Sequence, residues 1–514
     1  MIEQQGVSTS VESTGLDVMP RHDSFLPCRA SRDSLPWRAL LGVAIGQSAS
    51  AFGSTLTAFA LAVWVYAQTG SLLQYGAVLL IQALFAALAA PALGALCDRQ
   101  PRAKLMIAAD CSAALVIGTL LLTAQFEKLE VWMVAFTVGG LSLCAALHQI
   151  ASRALLPEWI PASRLSNVNG MLDTGLALGA VIAPLCATLV LDRIGLPGVL
   201  LLDLLSFGIA ILGLLFARLP TRPPIVVKGS DQGGITAGWR TLQADAVLSG
   251  LLAVALVVGL ALSTLQALFV PLVLARYSSI TLGAISSAAA LGAVAGGLWR
   301  VLSHKSPCAQ SVLAAQGLLG LGLCAVALSP SPLSFGLAMF ASYAVSQSGA
   351  IALRTIWQRR LAPSVRGRAL ACLTACSAAS MPLAYIGAPL LAERVFQPLL
   401  AACSLRFALP SALSHPQVGG AALLLTLIGA ALALSSFALH SAPRWRIPEP
   451  ASSLQPSAKV SPQGGTESQV SPQGATENQV KASLAAPMRG CPDDFSRLFS
   501  LHHPALRRHP LRNH

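Results

Sequence analysis

Apolar residues along this chain gather into long unbroken runs instead of alternating with polar ones. Twelve runs can be drawn, at roughly 38–66, 74–96, 105–125, 131–152, 169–191, 196–217, 247–275, 280–302, 308–329, 332–355, 368–391 and 418–440. Each reaches the ~20 residues of helix that cross ~30 Å of hydrocarbon. The predicted fold is therefore all-α and polytopic, with twelve transmembrane helices. A polar segment, 218–246, divides the runs six and six, which predicts two six-helix bundles at 38–217 and 247–440 joined by a linker. Residues 1–37 are rich in Ser, Asp, Arg and Pro and read as a disordered lead. Residues 441–514 read as a disordered tail, too poor in apolar residues to bury a core. That tail holds a ten-residue tandem repeat, Val460–Gln469 followed by Val470–Gln479. It is either a non-functional extension or a regulatory element.

Composition supports the pattern. Apolar residues make up 54% of the chain and charged ones 11%, against roughly 25% charged in soluble domains. Net charge is +13, but the cations sit between apolar runs. They set orientation there, and no nucleic-acid partner is expected. Eleven cysteines are scattered without paired spacing and read as small packing residues. No Walker loop, zinc-spaced set or nucleophile arrangement is present in the sequence, so neither an ATP-driven pump nor an enzyme is expected, and no metal or cofactor. The first apolar run is too long for the core of a cleavable signal peptide.

Loop charge fixes the expected topology. Loops on the side of Asp98 carry sixteen Lys and Arg, among them Arg99, Arg102, Lys104, Arg153 and Arg354; those opposite carry five, Lys128, Arg193, Arg276, Arg394 and Arg406. The positive-inside bias places both termini in the cytoplasm of a cell inner membrane. The halves also echo one another. Arg153 to Arg164 after the fourth run and Arg354 to Arg366 after the tenth share Arg, an apolar residue and Ser at positions 201 apart. Internal repetition of this kind suits a transporter that holds substrate between halves.

The connection between runs two and three reads Gly94-x-x-x-Asp98-Arg99-x-x-Arg102-x-Lys104. This spacing resembles the loop between spans 2 and 3 of the major facilitator superfamily, although Pro101 stands where that family has glycine. The resemblance implies a cytoplasmic gate in which Asp98 and its cations bridge the closed mouth through charge-assisted hydrogen bonds. Arg153 and Arg354 are assigned to the same gate, or to an anionic substrate. A topological anchor at the lipid surface is the plainer alternative. The second half's counterpart, Gly296-Gly297-Leu298-Trp299-Arg300, lacks an acid, so gate charge is expected to be asymmetric.

Run five carries Gly170, Gly179, Ala183-Pro184 and Ala187-Thr188. It resembles the superfamily's antiporter signature with three glycines replaced, which implies export in exchange for ions. Ordinary small-residue helix packing is the alternative. In run one, Gln47, Ser50, Ser54 and Thr57 share a helix face. In this fold, spans 1, 4, 7 and 10 line the central cavity, so these four join Gln266, Tyr343 and Gln347 as candidate substrate contacts. Interhelical hydrogen bonding explains them equally well. Intramembrane acids are costly and functional by default; Asp110, Asp173 and Asp203 are the candidates for proton coupling. Asp110 and Asp173 lie near the cytoplasmic side and could simply reach the interface, and His148 reads as a packing residue.

Within the superfamily the chain is most similar to macrolide-efflux-type drug:proton antiporters and their siderophore-exporter relatives. The residues carrying this are Gly53 to Ser71, Arg164-Leu-Ser-Asn167 and Asp203-Leu-Leu-Ser206-Phe207. The resemblance implies a secondary exporter of a small amphipathic compound, working by alternating access with protons, as a monomer. An importer or lysophospholipid flippase of the same fold is the runner-up. A non-transporting receptor or scaffold acting through its tail is the alternative of another class.

Overall fold

The computed structural model describes residues 37–126, 129–160, 162–217, 245–303, 307–361, 373, 379–402, 410 and 412–441. The tail and all but single residues of the lead and linker lie outside these. Among the described residues every regular element is helical.

The first helix, α1 (Trp37–Thr69), stops where Gly70 takes φ 61°, a left-handed conformation that glycine adopts without a Cβ clash. Ser71 then caps α2 (Leu72–Cys97) by accepting the Gln74 N–H, so two residues suffice to reverse the chain. Asp98 ends α2, and Pro101 stands just before α3 (Arg102–Gln125) with φ −59°, an angle its ring prefers. The position where the family has glycine thus needs none here. Helix α4 spans Val131–Trp159. Runs five and six form one 55-residue element, α5 (Ala162–Phe216), folded into two legs at Gly195 with φ 69° and Pro197 close behind.

The second half holds α6 (Ala246–Leu274), α7 (Ser279–Leu302), α8 (Ala309–Leu328) and α9 (Pro332–Arg360). Then come α10 (379–402), which widens into a π turn at Ala392–Phe396, and α11 (Gly419–Ser441). Among the described residues ten stretches are long and apolar enough to cross a bilayer, and one of them, Val168–Phe216, is 49 residues long and folds back on itself. Three expected boundaries are corrected. Helices α4 and α9 run past residues 152 and 355, so Arg153 and Arg354 lie inside helices and not at their ends. Helix α10 continues to Ala402, which puts Arg394 in a helix instead of a loop.

The two faces of the molecule can be named by their connections, the Asp98 face and the Gly70 face. At the Asp98 face, buried clusters keep to one half. Val43, Cys97, Met106, Ala151 and Leu214 form one, and Leu248, Leu251, Leu313, Ile356 and Trp357 another. Toward the Gly70 face one continuous cluster draws on both halves, joining Leu61, Leu72 and Ala183 to Leu268, Leu282 and Phe335. Helices α1–α5 and α6–α11 are thus joined at one face and hold separate cores at the other.

Candidate functional site

A cavity of about 830 Å³ is sunk among α1, α3, α4 and α5. Its polar wall includes Gln47, Ser50, Ser54, Gln82, Ser142, Gln149 and Asn169; Val138, Leu141, Leu172, Leu176 and Phe207 supply apolar surface. Three of the four predicted α1 residues therefore line it. Thr57 does not. Advancing ten residues along a helix turns the side chain by about 80° relative to Gln47, and Thr57 is 0% exposed, packed beside Asp203 of the second α5 leg. Gln266, Tyr343 and Gln347 also lie off this cavity. Gln266 accepts the Tyr385 hydroxyl at 2.8 Å, Tyr343 sits beside both, and Gln347 is exposed. Among the described residues the wall therefore comes from the first half, because these second-half polar groups are taken up by one another or point elsewhere.

The acids separate into three environments. Asp110 is 3% exposed, and its Oδ1 lies 2.9 Å from His148 Nδ1, an ion-pair distance. Its other oxygen has no partner. Asp110 therefore does not reach the membrane interface, because the helix turns it inward toward α4. His148 lines the same cavity and is the partner that sequence reasoning treated as packing. Helical wheels orient each helix alone; they do not say which α4 residue faces Asp110. Asp173 is exposed at the cavity rim. Asp203 is 0% exposed, with the Ser206 hydroxyl donating to its Oδ1 at 3.2 Å and Oδ2 unpartnered. It faces Gly53 of α1, where a Cβ would collide with the carboxylate. Asp203 lies outside the cavity, in the α1–α5 interface.

The predicted gate residues stand at the Asp98 face. Asp98, Arg99, Lys104, Arg153 and Arg354 are exposed, and Arg153 reaches the cavity wall. The Asp98 N–H closes α2 onto the Gly94 carbonyl, the Arg99 and Gln100 amides donate to that of Leu96, and Arg102 donates to the Ala154 carbonyl at 2.6 Å within its own half. Gly94 has open space where a Cβ would stand. In the degenerate counterpart, Gly296 serves a helix crossing, set against the Ala344 carbonyl of α9.

Of the antiporter-like residues, Ala183 to Thr188 lie toward the opposite face. Ala183, Pro184, Ala187 and Thr188 are buried, and Gly179 packs on Phe52, whereas Gly170 is exposed with nothing near its Cβ position. A Cβ on Gly283 of α7 would stand 2.9 Å from the Pro184 carbonyl and 2.6 Å from Thr188 Oγ1. The equivalent crossing recurs between α2 and α10, where a Cβ on Gly76 would meet the Tyr385 carbonyl and Pro389. Tyr385 and Pro389 lie 201 positions after Pro184 and Thr188. The seam that joins the halves is thus built twice from one pattern.

Comparison with known proteins follows the same lines. A family profile described as Major Facilitator Superfamily matches residues 43–385. Macrolide efflux protein A of Streptococcus pyogenes is 29% identical over 175 residues, 34% of this chain and 43% of that protein. Macrolide efflux protein A of Enterococcus faecalis is 31% identical over 130 residues, 25% and 40% of the two chains. The matched stretch spans less than half of either relative. Among solved structures, a bacterial homolog of the human lysosomal transporter Spinster, inward-facing and unoccupied, aligns with a TM-score of 0.57 at 16% identity. It covers 79% of this chain and 98% of that one. The nucleoside transporter NupG aligns at 0.57 and 12%, covering 79% and 99%. A bacterial homologue of the iron transporter ferroportin, inward-facing, aligns at 0.56 and 14%, covering 79% and 99%.

Proposed function

The chain belongs to the major facilitator superfamily of membrane transporters, and on that footing we propose that it is a secondary exporter of a small amphipathic compound. Export is coupled to proton entry by alternating access. The observation that carries this reading is the Asp110–His148 pair, a carboxylate and an imidazole 2.9 Å apart in the wall of a part-polar, part-apolar cavity of about 830 Å³. A compound with both characters finds partners on that wall: hydroxyls and amides for its polar groups, Leu and Phe side chains for the rest.

In this reading Asp110 is the proton carrier. The carboxylate it turns toward His148 is part of what decides which occupant the cavity holds best. An equilibrium between two access states shifts only through such differential interaction. Asp173 at the rim and Asp203 in the α1–α5 interface are further acids that a proton can occupy. The cation count in the loops supports the Asp98 face as cytoplasmic, with Asp98, Arg99, Arg102, Lys104, Arg153 and Arg354 forming the gate that closes it. Helices α1–α5 and α6–α11 then act as the two rocking bundles of a monomer in the plasma membrane. The likeness to proteins named macrolide efflux protein A supports export over import.

The test is accumulation of a panel of amphipathic compounds, macrolides and siderophores included, in cells expressing the protein or Asp110→Asn, with and without a protonophore. Lower accumulation that the substitution and the protonophore both abolish is the expected result. Raised accumulation would point to import, and an unchanged panel would turn the search to lipids.

A further inference from the structure

We infer that Asp192 and Glu393 are a matched pair of positioning residues, carboxylate clasps that hold the Gly70 face closed by gripping the first turn of a helix in the opposite half. Glu393 Oε1 accepts the backbone N–H of Leu72, the first residue of α2, at 2.8 Å. Asp192 accepts from the hydroxyl of Ser279, the first residue of α7, at 3.1 Å through Oδ1 and 3.5 Å through Oδ2. The two acids are 201 positions apart, the separation that relates Pro184 to Tyr385 and Thr188 to Pro389. Their targets, Leu72 and Ser279, are 207 apart, as are Gly76 and Gly283 in the crossings one turn deeper. Two contacts between halves therefore obey the same pseudo-twofold relation as the seam they border.

Each clasp makes physical sense at its own site. The first amides of a helix have no partner within it, and that end of the helix carries partial positive charge, so a carboxylate there satisfies a donor and a dipole together. Ser71 and Ser278 already cap the amides of Gln74 and Thr281, which leaves the outermost donors for the other half. The longer Glu393, carried on the π turn of α10, reaches a main-chain amide; the shorter Asp192 reaches a side-chain hydroxyl. Tyr66 lies beside Glu393, and the neighbouring Arg193 and Arg394 are exposed. Because each clasp spans the halves, opening this face must break both. The inference needs only that the halves part at the Gly70 face; it does not rest on export or proton coupling.

Hydrogen–deuterium exchange of the full chain in lipid nanodiscs, without substrate, tests it. With Glu393→Ala the first turn of α2 should exchange about fivefold faster or more, and so should the first turn of α7, which Glu393 does not touch. Asp192→Asn should produce the reciprocal change at α2. The milder Glu393→Gln keeps an acceptor and should show the same remote effect at lower amplitude, with the 134–138 stretch of α4 unchanged as a control for folding. Acceleration confined to the turn each acid touches, or none in either turn, would reduce the pair to local caps and overturn the inference. So would acceleration in Glu393→Gln that includes the α4 control. Loss of transport activity in the accumulation assay would leave the result standing, and the reverse also holds.

Discussion

The two faces of this molecule are built by different means. At the Gly70 face, backbone lies against backbone: Gly76 on the Tyr385 carbonyl, Gly283 on the Pro184 carbonyl, with one apolar core running through both halves. At the Asp98 face the cores are separate, Asp98, Arg99, Lys104, Arg153 and Arg354 are exposed, and Gly94 has open space where a Cβ would stand. A close-packed seam is short-ranged and tolerates little added volume, because packed interiors are bistable and do not deform continuously. A ring of exposed charges acts over several ångströms and is weakened by water and salt. One face is thus sensitive to shape and the other to charge.

Volume added at the seam is the severest way to break that contrast. Gly76→Val or Gly283→Val places a branched side chain against a carbonyl, and overpacking of this kind costs about 1–3 kcal/mol. Transport should fall by about fivefold to a hundredfold, since 1.4 kcal/mol is a factor of ten in an equilibrium. Gly94→Ala at the other face should leave the melting temperature and the fold unmoved; full retention of transport there would remove glycine from the requirements of the gate. Second in size is Asp110→Asn, which should abolish protonophore-sensitive export. Combining it with His148→Gln should cost little more than either alone, as expected for residues acting as a unit.

Charge at the mouth comes third. Asp98→Asn should reduce transport several-fold while the melting temperature stays put, because the side chain is exposed and its backbone N–H, not its carboxylate, ends α2. Smallest is the Arg360–Asp245 pair, 3.2 Å apart and partly exposed, which lies wholly within the second half. Arg360→Ala should shift stability by only ~0.2–1 kcal/mol. Asp245→Ala should cost more, about 1 kcal/mol, since Asp245 also caps α6 through the Val247 and Leu248 amides. Thermal unfolding in detergent orders the two.

What the sequence made legible follows from where each constraint lives. Helix positions were readable because hydrocarbon demands apolar length, and the reading fell short where helices run on into polar sequence, as α4, α9 and α10 do and as α5 does at Arg193. The α1 stripe was readable as far as Ser54, since one helix's periodicity fixes its own face. Thr57 escaped because the stripe drifts toward a neighbour whose position periodicity does not give. The Asp110–His148 pair depends on the relative rotation of α3 and α4, a tertiary quantity. The seam was half visible: Arg153 and Arg354 already carried the 201-residue relation. Applying it to Asp192 leads to Glu393, yet nothing in the sequence says what either acid touches.

The brevity of the turns at Gly70 and Gly195 has a practical consequence for anyone wishing to arrest the protein from that side. Two helical reversals are made there with one or two residues each, so neither turn offers a protruding loop as an epitope. A binder raised against that face would have to recognise the helix ends themselves and their relative placement. Under the proposed alternating access, such a reagent would be selective for one state by the nature of its footprint, and would report on the cycle as well as block it.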